Sequence, residues 1–262
     1  MPEHDTEAMT FWDHLDELRQ VLFRMVIAVV ALACVAFACK EPLFDLVLAP
    51  SRPDFILYRW LNALATSWNM PSLAVEAFRV EMINTQLASQ FTIHMSVACY
   101  AGILLASPYL IYLLFGFISP ALHRAERRIC LKILFPAFLL FLCGILLNYY
   151  VIFPLSFRFL STYQVSESIP NMITLSSYVS SFTTLSLLLG MAFEIPVIAY
   201  LLGRLHLIHA GMLKRFRKHA LVGILIVAAI ITPTFDAFTL LLVSLPLYLL
   251  YELSIRVVKS NP

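Results

Sequence analysis

The sequence predicts an all-α integral membrane protein with six transmembrane helices, a cytoplasmic N-terminus and two short helices at its end. Of its 262 residues, 61% are hydrophobic and only 13% are charged, where soluble domains carry roughly 25% charged residues. The charges are not scattered but leave long uncharged runs, and a helix needs about 20 apolar residues to cross a bilayer core of about 30 Å. The cations then gather in alternate gaps between those runs, as the positive-inside tendency requires. Eighteen Lys+Arg against sixteen Asp+Glu give a net charge of +2, which is too balanced to point to nucleic acid as a partner.

The first 18 residues hold Glu3, Asp5, Glu7, Asp13, Asp16 and Glu17 ahead of the first cation, Arg19. A cleaved secretory leader has the opposite pattern, with a basic start, so the N-terminus is expected to stay and to remain cytoplasmic. Thr10 followed by Asp13 resembles a capping box, and Phe11, Leu15, Leu18 and Leu22 then recur at helical spacing. An amphipathic cytoplasmic helix thus feeds the first span.

Spans are expected at about 21–39, 91–117, 133–157, 178–202, 220–235 and 237–251, within one polytopic domain covering 1–262. The last two are arms of a hairpin interrupted only by Asp236 near Pro233, and both are shorter than the roughly 17 residues of a minimal crossing. They should span incompletely and sit in a locally thinned bilayer. Five spans with a re-entrant final hairpin are the competing count.

Six spans put Arg19 and Arg24, then Arg124, Arg127, Arg128 and Lys132, then Arg204, Lys214, Arg215, Arg217 and Lys218, and finally Arg256 and Lys259 inside. Outside remain only Lys40, Arg52, Arg59, Arg79 and Arg158. The external loop, 40–90, is too long for a simple connector and carries Phe55, Tyr58, Trp60, Trp68 and Phe78, so it should fold against the membrane surface. Cys34, Cys39, Cys99, Cys130 and Cys143 show no metal or redox spacing and read as small buried hydrophobes.

Two segments carry chemistry. The first is Phe11-Trp-Asp-His-Leu-Asp-Glu-Leu-Arg19, with His14, Leu15, Glu17, Leu18 and Arg19 as its core; the second is Phe117-Ile-Ser-Pro-Ala-Leu-His-Arg-Ala-Glu-Arg-Arg128. Together they resemble the signatures of the TatC family, the signal-peptide receptors of the twin-arginine protein translocase. Further agreement comes from Ala49-Pro50, Tyr149, Phe153-Pro154, Phe193-Glu194-Ile195-Pro196, and Thr232-Pro233 with Asp236. The resemblance covers most of the chain. It is weak from Ser51 to Gln90, and Leu240 stands where many relatives have Gln.

The resemblance implies a receptor that binds Arg-Arg signal peptides at the cytoplasmic face of the inner membrane and nucleates a complex exporting folded proteins, driven by the proton-motive force. It assigns Glu17, Leu18, Arg19, Phe117, Pro120, Glu126, Arg127 and Arg128 to the signal peptide, and Pro50, Tyr149, Glu194, Thr232 and Asp236 to intramembrane or partner contacts. It implies TatA-type and TatB-type single-span subunits as partners, a homo-oligomer within the complex, and membrane lipid around it. Chemistry supports the pairing, because a planar guanidinium is best met by a carboxylate that accepts two parallel hydrogen bonds, and two guanidiniums call for two acceptors. Lysine, a point donor, should fit worse. Arg19 is expected to orient Glu17 or to anchor the helix at the headgroups, and Phe117 and Pro120 to shape an apolar floor.

Glu194 lies inside an apolar run, where an acid costs roughly 2.5–3.5 kcal/mol on insertion scales and should face protein or water. Asp236 and Thr232 have a plainer reading, as a turn residue and a helix cap. No HExxH, GxSxG or phosphate-loop pattern is present, so neither an enzyme, a metal nor a cofactor is expected. The rival function is a proton-coupled small-solute transporter using Glu194, against which the lack of inverted repeats weighs.

Overall fold

The computed structural model describes residues 11–69, 80–118, 124–164, 166, 171–205, 207–232 and 236–259; within these, the side chains of 11, 13, 118, 124–132 and 259 are not described. Thr10, Phe78, Pro120, His206 and Pro233 therefore lie outside the described residues. The elements in order are α1 (Phe11–Ala38), α2 (Lys40–Leu48), a 3₁₀ turn (Ala49–Ser51), α3 (Ile56–Ser67), β1 (Met82–Ile83), α4 (Ser89–Ile118) and α5 (Arg124–Leu147). A π-turn (Asn148–Ile152) joins α5 to α6 (Phe153–Thr162); β2 (Ile173–Thr174), α7 (Leu175–Ala192), α8 (Ile195–Arg204), α9 (Ala210–Arg215), α10 (Arg217–Ile231) and α11 (Ala237–Lys259) follow.

Five helical stretches are long and apolar enough to cross a membrane: His14–Ala38, Ser89–Phe117, Ile133–Thr162, Leu175–Arg204 and Ala237–Val258. α10 has 15 residues, about 22 Å at 1.5 Å per residue, too short to cross a core of about 30 Å unaided. α11 departs from the expected short arm, because its helix continues past Tyr251 to a length of 23 residues. Glu252 and Arg217 explain the extension: their ion pair at 2.7 Å, joined by the Tyr248 hydroxyl at 3.3 Å, gives the charged end of α11 a partner outside the apolar layer.

The chain forms two compact units, one of Met1–Ala38 with Ala98–Phe138, the other of Cys39–Val97 with Leu139–Pro262, so α4 and α5 each contribute to both. In the first unit α1 and α4 meet at Gly102, where a Cβ would sit 2.8 Å from the Val29 carbonyl oxygen and the Ala33 Cβ. Only a glycine permits that approach, the small-residue contact that apolar helices use in place of a hydrophobic driving force. Away from that contact, Phe23, Ile27 and Val30 of α1 are exposed, which suits a lipid-facing surface. The described cysteines, Cys34, Cys39, Cys99 and Cys143, are exposed as well, not buried as expected, because in lipid an outward position costs an apolar thiol nothing.

In the second unit Gly144 and Gly190 play the same part for α5 and α7. A Cβ on Gly144 would lie 2.9 Å from the Leu189 carbonyl oxygen, and one on Gly190 would lie 3.0 Å from the Phe141 ring. Outward of these glycines, Phe153, Phe157, Tyr178 and Phe182 form a core of edge-to-face rings with centroids 5.0 Å apart. The π-turn immediately precedes Pro154, whose ring would clash with a regular helix one turn back. The fourth span is likewise broken at Phe193–Glu194, just before Pro196.

The external segment is fastened by three tyrosines. Tyr149 donates to the Leu46 carbonyl at 3.0 Å and Tyr178 to the Val47 carbonyl at 2.8 Å. Tyr58 of α3 donates to the Pro154 carbonyl at 2.8 Å, with the Pro50 carbonyl at 3.3 Å. Carbonyls at the end of a helix such as α2 lack intrahelical partners, and Pro154 takes away a donor, so these hydroxyls fill vacancies the backbone creates. A parallel two-residue ladder, Met82 with Ile173 and Ile83 with Thr174, adds a second tie.

Tyr178→Phe leaves the Val47 carbonyl buried without its donor and should cost about 1–3 kcal/mol; a thermal unfolding midpoint in detergent equal to wild type would contradict this. Burial holds the Tyr58 phenol well above its ordinary value, an effect that Arg158 partly opposes. The unfolded chain therefore releases this proton first, and stability should fall as pH rises above about 10. Tyr58→Phe should flatten that alkaline loss in a pH series of unfolding midpoints.

Candidate functional site

The foot of α1 carries the first motif on one helical segment, so His14, Glu17 and Leu18 share a face at i, i+3, i+4 spacing. The His14 ring stacks on Phe117 of α4, with centroids 4.4 Å apart and planes at 16°. This joins the two signature segments inside the first unit. Glu17 is one-third exposed, yet its Oε2 is buried and has no hydrogen-bond partner. His14 Nδ1 lies 4.0 Å from that oxygen, beyond hydrogen-bond length. An acceptor is thus held unfilled beside an aromatic pair, a geometry suited to an incoming planar donor.

Arg19 differs from expectation. Its guanidinium reaches Asp16 at 3.6 Å, both side chains being about two-thirds exposed, and does not orient Glu17. The i, i+3 spacing explains it, since Asp16 lies on the outer face with Arg19. Glu126, Arg127 and Arg128 occupy the first turn of α5, near a helix N-terminus that favours an anion. Their side chains, like all of Pro120, fall outside the described residues.

Glu194 is the residue before α8 and sits in the break of the fourth span. Its side chain is half-buried, makes no capping bond, and leaves Oε1 buried without a partner. Asp236 has a structural role: its Oδ1 accepts from the Thr239 backbone N–H at 2.7 Å, capping α11. Thr232 is fully buried at the end of α10, its hydroxyl 3.4 Å from the Ala229 carbonyl. Pro50 and Tyr149 fall in one aromatic cluster, where Phe55 meets the Tyr149 ring edge-on at 5.6 Å and Pro50 is buried in the 3₁₀ turn beneath Tyr58.

Two features escaped the sequence. His14 lay inside the motif, but nothing in the spacing revealed its ring contact with Phe117. Asn148 is fully buried in the π-turn with both amide atoms unpartnered. A polar residue within a long apolar run was its only signal.

These elements define a multi-pass, all-α membrane protein with acids at a helix foot and inside the fourth span. Residues 13–246 match the family model of the Sec-independent protein translocase protein TatC, and the chain belongs to that family, a component of the translocase. It is 33% identical to the TatC of Blattabacterium sp. subsp. Periplaneta americana over 258 residues, 97% of each chain. Against Deinococcus radiodurans TatC the identity is 33%, covering 93% of this chain and 83% of the relative. A crystal structure of the twin arginine translocase receptor TatC superposes with a TM-score of 0.73 at 29% identity, covering 94% of this chain and 97% of that one.

Removing the Asp236 cap should show its structural role: Asp236→Ala is expected to cost about 1 kcal/mol, and Asp236→Asn much less, since the amide oxygen still caps. Equal unfolding midpoints for the two variants would contradict that role.

Proposed function

We propose that this chain is the receptor that grips twin-arginine signal peptides at the cytoplasmic face of the inner membrane. The observation that carries the reading is the unfilled Glu17 oxygen beside the stacked His14 and Phe117, on the segment that matches the family signature. Glu17 accepts one guanidinium of the Arg-Arg pair and Glu126 the other, with Leu18 and Phe117 supplying apolar contact beside them and Pro120 completing the floor. Arg127 and Arg128 hold the start of α5 at the headgroups. Arg19 is occupied by Asp16 and serves to anchor the helix rather than to meet a cationic peptide.

Once loaded, the receptor assembles with TatA-type and TatB-type single-span subunits and with further copies of itself, and folded cargo passes at the expense of the proton-motive force. Glu194 is the intramembrane contact for a partner helix. Its buried, unpaired carboxyl oxygen supports that role, because such a group stays in an apolar layer only where protein or water can meet it. Pro50 and Tyr149 act behind it, fixing the external segment.

Each charge-assisted hydrogen bond contributes about 1.5–3 kcal/mol, so Glu17→Gln and Glu126→Gln should each weaken an Arg-Arg peptide at least about tenfold in detergent titrations. A Lys-Lys peptide should bind wild type no better than the variants bind Arg-Arg. Unchanged affinity in both Gln variants would remove the acids from the site, and a small-solute carrier would bind neither peptide.

A further inference from the structure

Within the second unit, α6, α7 and the start of α11 enclose a half-open cavity of about 220 Å³, lined by Phe153, Ser156, Phe157, Tyr178, Ser181 and Thr239 among others. None of the described lining residues is charged. Ser156 is 4% exposed and Thr239 is 2% exposed, and neither hydroxyl has a hydrogen-bond partner. That is unusual here. Ser161, Thr183, Ser244 and Ser254 all bond back to carbonyls of their own helices, as hydroxyls in apolar helices ordinarily do. Thr239 cannot, because it sits in the first turn of α11 with no helical carbonyl behind it, and Ser156 follows the π-turn that displaces the ladder.

Water alone fits this space poorly. At about 30 Å³ each, roughly seven waters would fill it, and each would need two to four polar partners, whereas much of the wall is Phe153, Phe157 and the Tyr178 ring. A ligand with oxygens at one end and carbon elsewhere satisfies both halves of the lining. It must be uncharged, since nothing in the described lining would neutralise it. Depth narrows the choice. Ser181 lies 23 residues before Arg204 in the fourth span, about 35 Å at 1.5 Å per residue, which places the cavity just beyond a hydrocarbon core of about 30 Å and within the interfacial layer.

We propose that this cavity seats the glycerol–ester region of a membrane lipid, whose ester carbonyls accept hydrogen bonds from Ser156 and Thr239. The site depends on carbonyl acceptors and not on headgroup charge. Native mass spectrometry of the purified full chain, supplied with diester or diether phosphatidylcholine of the same chain length, tests it. Wild type should retain the diester lipid several-fold better, and Ser156→Ala/Thr239→Val should retain both equally. The double variant removes two unpaired hydroxyls at nearly constant volume and should keep its unfolding midpoint; if it fails to fold, Ser156→Ala alone should show a reduced preference. Equal retention by wild type, or a preference that survives in the folded variants, would overturn the proposal. Displacement of the diester lipid by free glycerol would instead assign the cavity to a soluble polyol and also overturn it.

Discussion

The second unit depends on tyrosine hydroxyls reaching backbone carbonyls that helix ends leave unfilled. Tyr149 and Tyr178 project from the third and fourth spans to Leu46 and Val47, while Tyr58 reaches back to Pro154. Each bond links segments far apart in sequence, and each meets a carbonyl that lacks a regular partner at the end of α2 or beside a proline. Away from bulk water an unpaired carbonyl costs more than a typical hydrogen bond gains, so the pattern constrains the fold more strongly than three ordinary bonds would. The aromatic rings that carry the hydroxyls are also the core, which is why Phe153, Phe157 and Phe182 pack around Tyr178.

Prolines and acids mark where regular helices give way, and those places are the chemically distinctive ones. Pro154 follows a π-turn that holds the buried Asn148, and Pro196 follows a break that holds Glu194. In a bilayer a distorted helix is tolerated where protein or water can satisfy the freed polar groups. The structure thus concentrates unfilled hydrogen-bonding capacity at the foot of α1, at the break in the fourth span, at Asn148, and at the cavity beside Ser156 and Thr239.

Much of this was legible in the sequence. The uncharged runs located the spans to within a few residues, and the two signature segments located the site, because both patterns reflect the same rule that charge avoids hydrocarbon. The end of α11 was not legible: a charge-free run ends at Glu252, whereas a helix with a partner for that charge does not. The exposure of the cysteines was misread because apolar residues seek burial in water but not in lipid. Arg19 was paired with the wrong acid since spacing allowed both Asp16 and Glu17, and only side-chain direction separates them. His14 on Phe117 is a contact between distant segments, and no local pattern encodes it.

The central claim is that the Glu17 carboxylate meets a guanidinium of the signal peptide directly. A double-mutant cycle tests it, combining Glu17→Gln in the receptor with Arg→Lys at each twin position of the peptide and reading affinity for all combinations. Direct contact predicts a coupling of about 1 kcal/mol or more with one arginine and little with the other. Additive effects at both positions would contradict the account.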